Sequence, residues 1–393
     1  MKPDIKKLMI PVVIIGILAS CSGSREPSDT IFDPHYSITI VDSINLEPQG
    51  TNVLQYGATE LDSQIIFHYH NGLDHIYFFN QKGESINTIE LPNIADPHGV
   101  NMISDYYYLN KDTTFVYDSE FNRILIVNDE SSIVGFLDLM GETYHIGRSA
   151  AGKIISVGLE QSHYFVDVNS NLEDHFPSSK EYTESNQMVF RINLKDLSIS
   201  SGVNYPPGSP YRKYLFWNAR DPDVEKFESQ YLVIYPLDPD LYIYDTAFNL
   251  VQVVKSSPTH FPEAIGNKFG SYQTQDWVSI NVKLNALGLR TKGIFFFNEE
   301  IVFARVYRAP LGDDPSIPND LSTFISQNYQ YDYYLQLFKR ENGLWKQMTP
   351  DILLPPGKMS NLIHIDKQGF LYFVGKDDSR EREFIYKCSL GSN

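Results

Sequence analysis

Between Leu91 and Leu139 the chain sets four short apolar runs one after another, each bounded by turn formers. A Pro-x-Gly turn at Pro97–Gly99 opens the stretch and an apolar run follows it. Then come FVYD at Phe115–Asp118, ILIV directly after Asn122-Arg123, a polar turn at Asn128–Ser132, and IVGFLDL. Short runs rich in β-branched and aromatic residues read as strands, and the Gly, Pro and Asn clusters between them as turns. Four antiparallel strands in about fifty residues make one blade of a propeller. Long patterns of helical period are almost absent outside the first twenty residues.

The spacing recurs. An isolated strand, YSITIVDSINL at Tyr36–Leu46, has no hairpin partner before it. A first unit follows from Val53 to Pro92, with strands near 53–56, 65–70, 75–80 and 85–91 and a Gly-containing hairpin turn at Gln81–Glu84. The stretch described above is the second. The third starts near Glu142, with IGR at 146–148 and KIISVGL at 153–159. Its third strand is read at 187–194, with 163–186 set aside as an inserted hairpin and loop. The fourth is entered through a Pro-, Tyr- and Arg-rich loop at Tyr205–Asp221 and continues at 230–237, 240–245 and 250–257. The fifth has runs at 293–298, 300–308, 332–340 and 344–348 around an insertion at 309–328. The sixth has runs at 361–366, 370–376 and 383–390, and then the chain ends one strand short. The orphan strand at 36–46 supplies the missing one and removes the free sheet edges. The expected fold is therefore all-β: a six-bladed β-propeller of four-stranded antiparallel blades over residues 36–393, closed by the N-terminal strand. Seven blades is the alternative, if 163–176 and 187–205 belong to separate blades. The length of 393 residues, 42% hydrophobic, suits one large closed β unit.

The first twenty residues are a targeting segment. Lys2, Lys6 and Lys7 precede a twelve-residue apolar run, Leu8–Ala19, that is short for a membrane span. It ends in Leu18-Ala19-Ser20-Cys21, which resembles the bacterial lipobox, where cleavage falls before the Cys and the Cys carries the lipid. The resemblance implies acylation at Cys21 and a lipid anchor to the membrane. Residues 21–35 read as a polar tether. With Cys21 acylated, Cys388 stands alone, so no internal disulfide is expected. The net charge of −17 argues against a nucleic-acid partner and against a second contact with anionic lipid.

Pro97–Val100 followed by VYDS-x-x-NRI at Val116–Ile124 is similar to an NHL-type propeller repeat, and DKQGFLYFVG at Asp366–Gly375 echoes it. With the lipobox, the length, the Tyr/Phe-rich strands and the long inserts, the chain resembles the TolB-like six-bladed propeller lipoproteins of unknown function from Bacteroides-type bacteria. The resemblance covers the architecture of residues 21–393. It carries no catalytic motif, so it transfers no site.

Nucleophile elbow, zinc-protease, P-loop and Rossmann fingerprints are all missing from the sequence. No catalytic residue and no cofactor is expected. His68 and His70 share one strand face with His75 near them, but no carboxylate has matching spacing, so no metal is expected. The recognition element is read in the aromatic–basic loop, at Tyr211, Arg212, Trp217 and Arg220. Tyr and Trp offer flat faces with polar tips, and Arg offers bidentate donors. His98, Arg148 and Arg305 fall near strand starts or connections between blades and are added as channel candidates. The expected role is a binding propeller for a glycan, peptide or partner protein. A propeller-scaffold hydrolase or lyase acting on polysaccharide or peptide is the competing class. The expected location is the bacterial cell envelope, on the outer membrane facing the periplasm, because no acidic run follows Cys21; surface exposure is the alternative. Replacing Cys21 by Ser is expected to abolish metabolic labelling with a fatty acid and to release the protein from the membrane fraction. Retained label in that variant refutes the lipobox reading.

Overall fold

Neighbouring apolar runs pair as antiparallel strands throughout, in a computed structural model. It describes residues 36–392 apart from 48–54, 93–98, 139–152, 161–162, 170–178, 199–201, 217–221, 262–263, 270–287, 298–299, 311–330, 378–381 and the single positions 101, 119, 122, 186, 197, 257 and 357. The N-terminal strand is β1 (Tyr36–Asn45). The first sheet holds β2 (Gln55–Leu61), β3 (Gln64–His70), β4 (His75–Phe79) and β5 (Ser85–Glu90). The second holds β6 (Ile103–Asn110), β7 (Thr113–Asp118), β8 (Arg123–Val127) and β9 (Ile133–Asp138). The third holds β10 (Lys153–Glu160), β11 (His163–Asn169) and β12 (Val189–Asn193), with a short helix α1 (Lys180–Ser185) between the last two. The fourth holds β13 (Asp223–Phe227), β14 (Gln230–Tyr235), β15 (Asp238–Asp245) and β16 (Leu250–Val254). The fifth holds β17 (Gly288–Phe297), β18 (Glu300–Pro310), β19 (Tyr331–Glu341) and β20 (Leu344–Gln347), and β21 (Ile352–Leu353) adds to β19. In the last sheet β22 (Met359–Ile365), β23 (Leu371–Asp377) and β24 (Arg382–Ser392) are completed by β1.

The fold is an all-β propeller of four-stranded antiparallel blades. Among the described residues five of the six sheets have four or more strands. The inner strand of each sheet touches the inner strand of the next, from β2 to β6, β10, β13, β17, β22 and back to β2. The apolar core is divided in the same way. Each cluster draws on two adjacent sheets, as where Ile76 and Phe78 meet Tyr106 and Tyr108, and where Leu232 and Ile243 meet Phe303 and Trp345. Middle strands are covered on both faces by neighbouring sheets, which is why β14 and the LYIY stretch of β15 are apolar with little alternation and both strands are buried along nearly their whole length. Outer strands keep one face in water: Val134 and Phe136 on β9 are 61% and 49% exposed.

Repeated turn chemistry fixes the register. Asn80, Asn128 and Asp245 each begin a hairpin turn between the third and fourth strands of a blade. Each side-chain oxygen accepts the backbone N–H groups two and four residues on. Asp366 does the same between β22 and β23. The fourth residue of each turn has a positive φ: Gly83 at 82°, Ser131 at 63°, Phe248 at 60° and Gly369 at 82°. Only the two glycines take that conformation without strain. At the rim, the Gln252 amide pairs with the Trp345 backbone in both directions, at 2.7 and 2.9 Å, and so ties the outer strands of the fourth and fifth sheets.

The third unit corrects the sequence reading. Residues 163–169 are not part of an insertion but the middle strand β11, paired on one side with β10 and on the other with β12. Only positions 161–162 separate β10 from β11, so the two form a tight hairpin, and the long connection lies between β11 and β12 instead. Direct pairing of β11 with β12 also removes the seven-blade alternative, which needed them in separate blades. Beyond β12 the chain turns back along it: Asn193 N–H donates to Ser198 O, and Val203 N–H to Val189 O. The strand proposed at 146–148 lies outside the described residues. The polar inner strand β13 falls between the loop read at 205–221 and the strand read at 230–237, where DVEKF offers no apolar run.

β1 pairs with β24 from Tyr36↔Ser392 to Asn45↔Phe384, as the orphan-strand argument requires. Removing residues 36–46 is expected to lower the unfolding midpoint steeply in urea, whereas removing 22–34 leaves it unchanged. Equal midpoints for the two truncations refute the closing role of β1.

Candidate functional site

Alternating strand direction sorts the connections of each blade onto two faces. Turns between second and third strands share one face with the connections from one blade to the next. That face carries the turns after β3, β7 and β14 and the connections at 204–216, 255–269 and 348–358. Among the described residues, a polar and aromatic cluster on it sits at the junction of the fourth and fifth sheets.

Asp351, just past β20, is its hub. Its Oδ2 accepts the Tyr307 hydroxyl and the Thr259 backbone N–H, both at 2.5 Å, and its Oδ1 accepts Gln336 Nε2 at 2.7 Å. Burial and the adjacent Asp351 carboxylate push the acidity of the Tyr307 hydroxyl far down, and the nearby His260 backbone N–H opposes them. Above it the rings stack. Tyr307 and Tyr334 lie 5.1 Å apart at 18°, and His260 covers Tyr334 at 4.6 Å and 17°. Tyr334 is buried, whereas His260 is exposed.

Arg305 backs this cluster from inside. It is fully buried, with Nε on Gln336 Oε1 at 2.8 Å and Nη2 on Pro239 O at 2.7 Å and Ser256 Oγ at 2.6 Å. Its guanidinium lies over the Phe338 ring at 4.8 Å, and Nη1 has no partner. Burial lowers its pKa to about 10, against the pull of Asp351 and Asp240. Asp240, buried, is paired with the exposed Lys255 at 2.5 Å. Asp238, also buried, accepts the Tyr242 hydroxyl at 2.7 Å, and burial raises its pKa. The guanidinium thus joins β18 to the β15 turn of the neighbouring sheet through oxygens that no other donor would satisfy.

A second buried cluster lies between the first and second sheets. His68 and His70 point to the same side, as their spacing requires, and both meet Tyr106 edge to face. His68 Nδ1 bonds the Tyr106 hydroxyl and Nε2 bonds Thr59 Oγ1 at 3.1 Å. Gly57 leaves room for that ring, since a Cβ there would stand 2.3 Å from His68 Cε1. His70 Nδ1 accepts Gly72 N–H at 3.2 Å, its Nε2 has no hydrogen-bond partner, and burial lowers its pKa to about 4. His75 is apart from both, stacked on Tyr77 and paired with Asp74. In the next blade the VYDS-x-x-NRI segment forms the turn after β7, where buried Asp118 holds Arg123 at 3.2 Å and Arg123 reaches Gly99 O at 2.6 Å.

Of the residues singled out from sequence, Tyr211, Arg212 and Arg305 fall within the described residues; Trp217, Arg220, His98, Arg148 and Cys21 lie outside them. Tyr211 is in a short 3₁₀ turn capped by Ser209 and is buried in the core between the third and fourth sheets. It stacks on Tyr205 at 4.6 Å and accepts Leu237 N–H at 3.1 Å. Arg212 Nε donates to Tyr205 O at 2.7 Å. Arg305 stands at the other junction of the fourth sheet, away from these two. Tyr307, Tyr334, Asp351 and His260 were missed. The only sequence signal for them is an alternation of polar and aromatic residues in ARVYR and DYYLQL, which reads equally well as ordinary strand.

The fold defines a β-propeller. Among solved structures it is similar to a member of the DUF4221 family from Bacteroides vulgatus, at 12% identity and a TM-score of 0.68 over 91% of this chain and 99% of that one. A Bacteroides fragilis protein described as a candidate exported protein aligns at 12% identity and a TM-score of 0.48, over 90% of this chain and 96% of that one. No family model matches the sequence, and no curated protein does.

Two expectations follow. Arg305→Met fills the space but leaves the buried oxygens of Gln336, Pro239 and Ser256 without the guanidinium donor, and is expected to cost about 1–3 kcal/mol or more in urea unfolding; a stability equal to the wild type's refutes the pairing account. His70 binds fewer protons folded than unfolded between its ordinary pKa of 6.5 and about 4. Its contribution is therefore complete above pH 6.5 and is lost as pH falls toward 4, by roughly 3 kcal/mol. His70→Gln is expected to flatten the stability–pH curve in that window by a similar amount, and an unchanged slope refutes it.

Proposed function

We propose that this protein is a six-bladed, lipid-anchored envelope propeller that binds a glycan, peptide or partner protein on the face carrying the blade-to-blade connections. The observation that carries the binding reading is the stack of Tyr307, Tyr334 and the exposed His260 beside Asp351, flat rings with hydrogen-bonding groups at their edge at a blade junction. Such surfaces hold ligands by apolar contact and orient them by a few fixed polar groups. The aromatic–basic loop of Tyr211, Arg212, Trp217 and Arg220, with His98, Arg148 and Arg305, remains the sequence-derived part of the proposed surface. Tyr211 and Arg305 serve it by positioning neighbours, since both are buried.

Six blades are supported by the six sheets and by the return of the chain along β12 at Ser198 and Val203, the place a fourth strand of the third sheet would take. Anchoring through Cys21 is supported by the charge, length and small residues before it. An envelope location is supported by the charged, then apolar, targeting segment read at residues 1–20. The likeness to TolB-like and NHL-type propellers rests on the Pro97–Val100 and Val116–Ile124 segments.

A glycan and peptide array, followed by Trp217→Ala and Asp351→Asn, tests the reading. Binding of an arrayed ligand that falls at least tenfold in either variant, with the unfolding midpoint of that variant intact, is the expected result, about 1.4 kcal/mol of lost contact. An array without a ligand overturns it, and turnover of an arrayed ligand moves the protein to the hydrolase or lyase class.

A further inference from the structure

The segment at 258–261 sits on the Tyr307–Tyr334 surface in the manner of a ligand. The exposed His260 ring lies nearly parallel on Tyr334. The Thr259 backbone N–H donates to the Asp351 carboxylate, and the His260 backbone N–H lies near the Tyr307 oxygen. Those two groups are themselves joined by the 2.5 Å bond from Tyr307 to Asp351. If the segment lifts, it uncovers one flat aromatic face, frees a lone pair on Asp351 Oδ2 and bares the Tyr307 oxygen, which still donates to that carboxylate. What replaces it must bring a flat, weakly polar face and two donors side by side.

We propose that this junction is a sugar subsite, covered in the free protein by the 258–261 segment with His260 in the place of the sugar ring. The proposal rests on the binding reading above and names its ligand class. A pyranose presents a face of C–H groups to an aromatic ring and carries vicinal hydroxyls as paired donors, in one rigid unit with little ordering cost. A peptide in solution is the weaker competitor. It would repeat contacts that the attached segment already makes at high effective concentration. A sugar adds hydroxyls that reach the free lone pairs of Asp351 Oδ1, which accepts only Gln336 at 2.7 Å among the described contacts. Arg305 has a positioning part: its Nε holds Gln336 Oε1, so the Gln336 amide presents its NH₂ to Asp351. The cover lowers apparent affinity by the fraction of time it is closed.

Removing the His260 ring frees the face without touching the core, because that side chain is exposed. Cellopentaose, xylopentaose and α-mannopentaose, with His-, Tyr- and Trp-containing pentapeptides alongside, are titrated by calorimetry into the full chain. His260→Ala is expected to bind at least one of the three sugars about tenfold more tightly than the wild type. Tyr334→Leu, which keeps the site apolar, is expected to lose that binding with its unfolding midpoint preserved. Hydrogen exchange at the Thr259 amide, whose bond to Asp351 is broken when the segment lifts, is expected to speed up when sugar displaces the segment in the wild type and to be faster in His260→Ala than in the wild type without sugar. Sugar binding weakened or unchanged in His260→Ala overturns the cover while leaving the binding reading in place. Peptide binding without sugar binding overturns the sugar assignment alone. Silence of every probe, together with an array that yields no ligand, overturns the binding reading and this inference with it.

Discussion

Closure of the ring by β1 is the constraint on which the rest depends. The strand pairs with β24 along its length. Its residues also divide between two cores: Ile38 and Ile40 pack with the cluster shared by the fifth and last sheets, and Ile44 with the one shared by the last and first. One strand therefore completes a ladder and seals two interfaces. Each sheet buries both faces only because it has a neighbour on either side. Opening the ring at one place leaves two faces bare, at roughly 25 cal/mol for every Å² of apolar surface returned to water. Polar inner strands such as β13 are tolerable in this setting, because the sheets on both sides hold them.

Strand positions were legible because propeller blades are local. Each hairpin advertises itself through short apolar runs and a turn residue with a defined job. Asn80, Asn128, Asp245 and Asp366 accept the same two N–H groups, and Gly83 and Gly369 supply the left-handed residue, so those turns could be read from Gly- or Asn-containing breaks. Where an ordinary residue occupies the left-handed position, as Phe248 does, only the packing of its ring on Tyr231 accounts for it. The third unit misled because HYFVDV and VFRIN are both good strands and the long gap between them looked like a boundary. A gap inside a blade and a gap between blades have the same composition.

The Tyr307–Asp351 cluster was not legible for a different reason. Its members come from β18, β19 and two connections, and no spacing in the sequence brings them together. Arg305 was picked out as a charged residue near a strand end, and its setting could not be foreseen: a buried guanidinium bridging two sheets. At the junction of the fourth and fifth sheets this buried guanidinium is added to the apolar cluster. A charged junction of this kind gives orientation rather than net stability, since the cost of desolvation offsets the attraction. It fixes Gln336 and Asp351 in one arrangement, which a purely apolar seal would not.

The pairing of β1 with β24 also sets a schedule. β1 is the first strand of the propeller to be synthesised and its partner the last, so the ladder from Tyr36 to Asn45 stays unfilled until the whole chain has emerged. The earlier blades can form hairpins as they appear, but the cores on either side of the last sheet have to wait. A contact between the two ends of the chain is the slowest kind to make, and an unpaired apolar strand held open that long is an edge on which other chains can dock. The polar and acidic positions of β1, at Thr39, Asp42, Ser43 and Asn45, fit that interval: they keep the waiting strand in water until Cys388 and its neighbours arrive to cover it.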